Sequence, residues 1–126
     1  MSEFIEVKVS ELSGEALNWT VAKAVGEPVE VMPGMEWKSQ HVWTAGSFNR
    51  YRPSTDWSQG GPLIEKYLVD LHYPHGLPGR GWWAQAGTHS QDNPLAAIDA
   101  TPLIAACRAI VASVLGPVVS VPKELV

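Results

Sequence analysis

The chain predicts an α+β fold, a small α/β/α-type sandwich in which a short, mainly antiparallel sheet is flanked by about three helices. Three observations point there. "SELSGEALNWTVAKAV" and "PLIAACRAIVASVL" carry apolar residues at helical spacing. "HVWTA", "YLVDLHY" and "WWAQA" alternate with the period of a strand. No strand–helix–strand unit repeats, which favours antiparallel pairing. With 126 residues the chain has the size of one domain, and residues 1–126 are read as one.

The elements follow in order. Ser10 to Val25 reads as the first helix, with Ser10 as N-cap and Glu11 and Glu15 near the positive end of the dipole. Leu12, Ala16 and Trp19 form one apolar row and Leu17, Val21, Ala24 and Val25 widen it, before Gly26 and Pro28 stop the helix. "VEVM" reads as a short strand before a Pro33-Gly34 turn. "QHVWTAG" reads as a second strand, with "FNRYRPS" returning alongside it until Pro53. "YLVDLHYP" and "WWAQA" form a hairpin across a loop of prolines and glycines. The residues from Gly87 to Ala100 read as surface loop. Pro102 to Leu115 is the clearest helix: Thr101 caps it, Pro102 takes the first position and Gly116-Pro117 closes it. It is apolar almost all round, so it packs on a sheet and has surface left for another subunit. "VVSVP" is a final edge strand and "KELV" a tail.

Between the return strand and the hairpin lies "RPSTDWSQGGPLIEKY", residues 52–67. It reads as a helix start in which Ser54 caps and Asp56 sits in the first turn. Trp57, Gly60 or Gly61, Ile64 and Leu68 then share an inward face. Pro62 requires either a kink or two short helices with Gly61 at the second N-cap. Neither a P-loop nor a dinucleotide fingerprint is present, because Gly60-Gly61 leads to Pro62 and Leu63 with no lysine and no third glycine in place.

Charge excludes more than it suggests. Net charge is −4, and residues 1–36 alone carry −5. No basic stripe exists to neutralise phosphates, so the monomer is not expected to bind nucleic acid. Lys38, Arg50, Arg52 and Lys66 around the motif are the only local basic excess. The single Cys107 excludes a disulfide framework. His41, His72, His75 and His89 lack ligand spacing on a helix, so no metal and no cofactor is expected. No run is apolar enough to span a bilayer and no signal peptide is apparent, which reads as a soluble, cytoplasmic protein. Six tryptophans are many for this length. Trp82 and Trp83 are neighbours on one strand and must face opposite ways, so one of them is a candidate partner surface unless both sheet faces are covered.

"PSTDWSQGGPLIEKY", "WWAQA" and "TPLIAACRAIVASVLG", with "VKVSELSGEALNWTVAKAVG" at the start, resemble the NinX-like family of small bacteriophage proteins, and more loosely the phage α/β/α sandwich domain proteins. The resemblance implies a compact sandwich and a phage or prophage protein of the bacterial host cytoplasm. It implies no catalytic residues. The family name comes from a phage genome region that also holds recombination and DNA-metabolism genes, which suggests by association an accessory role during infection.

The expectation is therefore a non-enzymatic accessory protein that binds a host or phage macromolecule, a protein partner first, with a homo-oligomer open. Two alternatives stand beside it: a small enzyme with a site near Asp56 and the Trp82-Trp83 strand, and a factor in phage DNA metabolism whose oligomer aligns Arg50 and Arg52. The candidate binding residues are Arg50, Arg52, Ser54, Thr55, Asp56, Gln59, Gly60, Gly61, Trp82 and Trp83; none is assigned to catalysis or to a metal.

Overall fold

A computed structural model describes residues 3–32, 41–45, 49–73, 81–86, 97–99 and 101–126. The expected turn at Pro33-Gly34, Lys38, His75, His89 and the loops around them lie outside these residues. The order is β1 (Phe4–Lys8), a 3-10 turn (Val9–Glu11), α1 (Gly14–Val25), β2 (Val29–Met32), β3 (His41–Thr44), α2 (Trp57–Lys66), β4 (Val69–His72), β5 (Trp82–Ala86), β6 (Ala97–Asp99), α3 (Pro102–Leu115), β7 (Val118–Pro122) and a closing 3-10 turn (Lys123–Leu125). The fold is α+β, and every strand pair is antiparallel. Among the described residues pairing is divided among three short sheets: β1 with β7, β2 with β3, and β4-β5-β6.

Two elements were invisible to periodicity. β1 precedes the first helix and pairs with β7, so the two ends of the chain share one ladder. Ile5 and Val7 point to the core opposite Val121 and Val119, while Glu6 and Lys8 stay outside. β6 lies where surface loop was expected, with Trp82 opposite Asp99. The first helix also starts later than expected. Ser10 belongs to the 3-10 turn and Ser13 is the N-cap of α1. At its far end Gly26, with φ 79°, takes the left-handed cap and bonds to the Ala22 carbonyl, as the sequence indicates.

α3 is buried nearly all round because it lies between two partners. Cys107, Val111 and Ala112 pack with Leu17 and Val21 of α1. Ala105 and Ala109 pack with Ala84 and Ala86 of β5, where four small side chains let helix and sheet approach closely. The apolar surface assigned in part to another subunit is thus mostly covered within this chain, although Val114 and Leu115 remain exposed. Arg108, the polar break in this helix, is buried and donates from Nε to the Leu12 carbonyl at 2.8 Å and from Nη1 to Asp99 Oδ1 at 2.9 Å. It ties β6 and the start of α1 to the middle of α3, and burial of its charge is acceptable because both contacts are made. Burial also pushes the Cys107 thiol up to about 12, leaving it an inert core residue.

The motif folds differently from its expected form. α2 is one continuous helix running through Pro62. Pro62 costs the bond to the Ser58 carbonyl, but both residues are exposed and water can take it. The N-cap is Asp56, whose carboxylate accepts from the Ser58 backbone N–H at 2.9 Å and the Ser58 hydroxyl at 2.6 Å. Ser54 is no cap: it is buried, and both its N–H and its hydroxyl donate to Asn18 Oδ1 on α1, at 3.1 and 2.7 Å. Trp57, expected in the core, is 55% exposed. Gly60 takes the core position instead. A Cβ there would lie 2.7 Å from Leu103 Cδ2 and closer still to the Pro53 carbonyl oxygen.

Candidate functional site

An open cleft of ≈ 750 Å³ lies between α2 and the segment returning beside β3. The end of α1 supplies Val25, the residue after its Gly26 cap supplies Glu27, and β3 supplies Trp43 and Thr44. Asn49, Arg50, Tyr51 and Arg52 form the return segment, and Asp56, Gln59, Leu63 and Lys66 form one face of α2. Their spacing of three, four and three residues is that of a single helical row.

The return segment is joined to β3 by a single antiparallel bridge. Thr44 N donates to the Asn49 carbonyl and Tyr51 N to the Val42 carbonyl, both at 2.9 Å, so Trp43 and Arg50 face each other. This is a non-hydrogen-bonded antiparallel pair, in which opposed side chains come closest. Its outer edge is closed by Gln59. The side-chain amide donates to the Arg50 carbonyl at 2.8 Å and accepts from Arg52 N at 2.6 Å, occupying the groups that a further strand would use. Gln59 therefore clamps α2 to the sheet edge.

Charge in the cleft is largely engaged. Glu15, in the first turn of α1, accepts from Val42 N at 3.0 Å and from Arg50 Nη2 at 2.8 Å. Arg52 Nε lies 3.8 Å from Asp56 Oδ2, a loose contact with half of the arginine side chain exposed. The Asp56 carboxyl is held below its ordinary value by its bonds to the Ser58 hydroxyl and backbone N–H, with Arg52 a smaller influence. Burial, with Glu27 nearby, pushes the Tyr51 hydroxyl well above its ordinary value, so it stays protonated. Two donors lack acceptors among the described residues: Trp43 Nε1 and Arg50 Nε. A buried donor left unpaired costs roughly 1–3 kcal/mol.

Of the ten expected site residues the fold brings four to the cleft: Arg50, Arg52, Asp56 and Gln59. Ser54 and Gly60 are core contacts, Thr55 is exposed in the turn before α2, and Gly61 lies under the Trp57 ring. Trp82 and Trp83 belong to another part of the molecule. Trp82 packs on the alanine cluster and meets Tyr73 edge-on, with ring centroids 5.4 Å apart. Trp83, opposite His72, turns to the other face of the three-stranded sheet. Trp43, Tyr51, Glu27, Asn49 and Leu63 were not singled out. Only Lys66 left a trace in the sequence, as part of the local basic excess.

The motif, the tryptophan strand and the capped closing helix now stand in one fold. A family model described as bacteriophage P22 NinX matches residues 8–114. The chain belongs to this family. The match runs from the end of β1 to the last turn of α3 and includes every residue lining the cleft. Among curated proteins, none matches the chain. Family membership supports a phage accessory protein, and it names no activity and no ligand. Among the described residues no helix is long and apolar enough to cross a membrane, and no group of three or more His, Cys, Asp or Glu is placed to hold a metal ion.

Proposed function

We propose that this phage protein acts in the host cytoplasm by binding a host or phage protein, through the outward row of α2. One observation carries the reading: the most apolar row of that helix faces outward. Trp57 is 55% exposed, Gly61 lies beneath its ring, Ile64 is half-buried, and the row continues past the helix end to Leu68, which is 57% exposed. Leu68 also holds a left-handed backbone, φ 52°, which is unfavourable for a branched side chain. An exposed tryptophan on an apolar row is the kind of residue that anchors an interface centre.

A small enzyme is the second reading, because the cleft brings Asp56 beside Arg52. Its carboxylate is committed to capping α2 and its proton affinity is lowered, which opposes use as a general base near neutral pH. The test is affinity capture from infected cells with the wild-type protein and Trp57→Glu. A partner retained by the wild type and lost by the variant, at equal thermal stability, supports the reading. Identical capture by both, or capture of nothing, rejects it.

A further inference from the structure

We propose that the outer edge of β1 pairs with β1 of a second copy of this chain, joining two molecules through a continuous antiparallel sheet in the order β7-β1-β1-β7. The hydrogen bonds fix which groups that edge offers. Val9 N donates to the Pro117 carbonyl at 2.9 Å and Lys123 N to the Glu3 carbonyl at 2.8 Å, continuing the β1–β7 register at both ends. Glu3, Ile5, Val7 and Val9 therefore turn their backbone groups to β7, and the N–H and C=O groups of Phe4, Glu6 and Lys8 point away from it. No partner takes those groups among the described residues. β7 also packs on α1 and α3, whereas β7 is the only described element that β1 contacts extensively. The edge lacks the devices that keep strands apart: β1 holds no proline and no inward charge, and its register with β7 is unbroken. The apolar layer beneath it is also unfinished. Val119 and Val121 of β7 are buried, but Val7 and Ile5, which stand opposite them on β1, are only partly buried.

Charge selects the occupant and the register. Outward groups must meet outward groups, so a two-fold axis crosses the edge at a residue that stands opposite itself. An axis at Glu6 or at Lys8 sets like charges against each other, and an axis at Phe4 or Ile5 pairs neither charge with an opposite one. An axis at Val7 sets Glu6 opposite the partner's Lys8 and Lys8 opposite the partner's Glu6, each pair exchanging both backbone hydrogen bonds. It also brings Val7 against the partner's Val7 on the core side, covering the surface left open there. Neither Glu6 nor Lys8 makes an ion pair within its own chain among the described residues. A strand whose charges complement themselves fits a second copy better than an unrelated strand. The edge shares no residue with the outward row of α2 and is independent of the role proposed for that row.

The test is sedimentation equilibrium of the untagged full chain at concentrations up to about 1 mM, where even weak association registers. A monomer–dimer equilibrium is expected, with Kd raised tenfold or more by Glu6→Lys alone and by Lys8→Glu alone, each of which sets like charges across the pair. Mixing these two variants should restore a dimer containing one copy of each. Glu6→Pro removes an outward N–H that the single chain does not use, so it should abolish the dimer and leave the circular dichroism of the folded monomer intact; if it fails to fold, the charge reversals decide. Trp57→Glu should leave the equilibrium unchanged. A monomer at every concentration overturns the proposal. So does a dimer indifferent to both charge reversals, or one lost in Trp57→Glu.

Discussion

Helices α2 and α3 reach the core by opposite means. α3 buries side chains on both sides, Cys107, Val111 and Ala112 against α1 and Ala105 and Ala109 against β5. α2 buries a piece of backbone: Gly60 admits the Pro53 carbonyl and Leu103 to distances that no side chain would allow. The consequence is a division of labour. The helix held by side chains leaves only Val114 and Leu115 of its large apolar residues exposed, near its end, whereas the one held by a glycine, a cap and the Gln59 clamp leaves its largest apolar residue, Trp57, in solvent. On the proposed reading, burial of Trp57 is left to a partner.

The contrast can be broken at either helix. The largest effect is expected in α3: Ile110→Ala, at a side chain only 1% exposed, should cost about 3–4 kcal/mol by urea denaturation. A loss below ~1 kcal/mol would mean that α3 is not the central element. Next come the two adjacent glycines. Gly60→Ala should cost about 2 kcal/mol, because overpacking against backbone exceeds the gain of roughly 1 kcal/mol from better helix propensity. Gly61→Ala, whose nearest neighbour is Trp57 Cε3 at 4.0 Å, should stabilise by about 0.5–1 kcal/mol. Equal effects at the two positions would remove the backbone-packing account. The smallest effect is that of the cap. The Asp56 carboxyl is lowered in the folded state, so its contribution is present above the unfolded carboxylate pKa and is lost as pH falls through the lower, folded value. Asp56→Ala should therefore lower the melting temperature at neutral pH and make no difference in strong acid, while Asp56→Asn keeps most of the cap.

How far the sequence could be read follows from the same contrast. α3 was legible down to Thr101, Pro102 and Gly116, because a cap, a first-position proline and a terminal glycine are local signals. In α2 the same rules pointed the wrong way. Hydrophobic spacing identifies a face only when the inward residue is hydrophobic, and here it is a glycine. Ser54 looked like a cap because its partner, Asn18, lies 36 positions earlier and resembles a surface residue of α1. β1 and β6 were missed for a related reason: five and three residues give too little alternation, and their pairing partners lie far along the chain or across a loop.

The cleft was half legible. Arg50, Arg52 and Lys66 stood out as local charge, but nothing in the sequence set Trp43 against Arg50 or gave Gln59 to the strand edge. The sequence by itself determined the α+β class, the antiparallel pairing, α3 with its caps, the end of α1 and the family, because each rests on neighbours within a few positions or on the pattern of the chain as a whole. Tertiary structure alone decided which face of α2 meets the core, where the two orphan donors sit, and that Trp57 faces solvent. Those outcomes depend on close approach between distant segments, and a glycine that permits such an approach carries no mark of its direction.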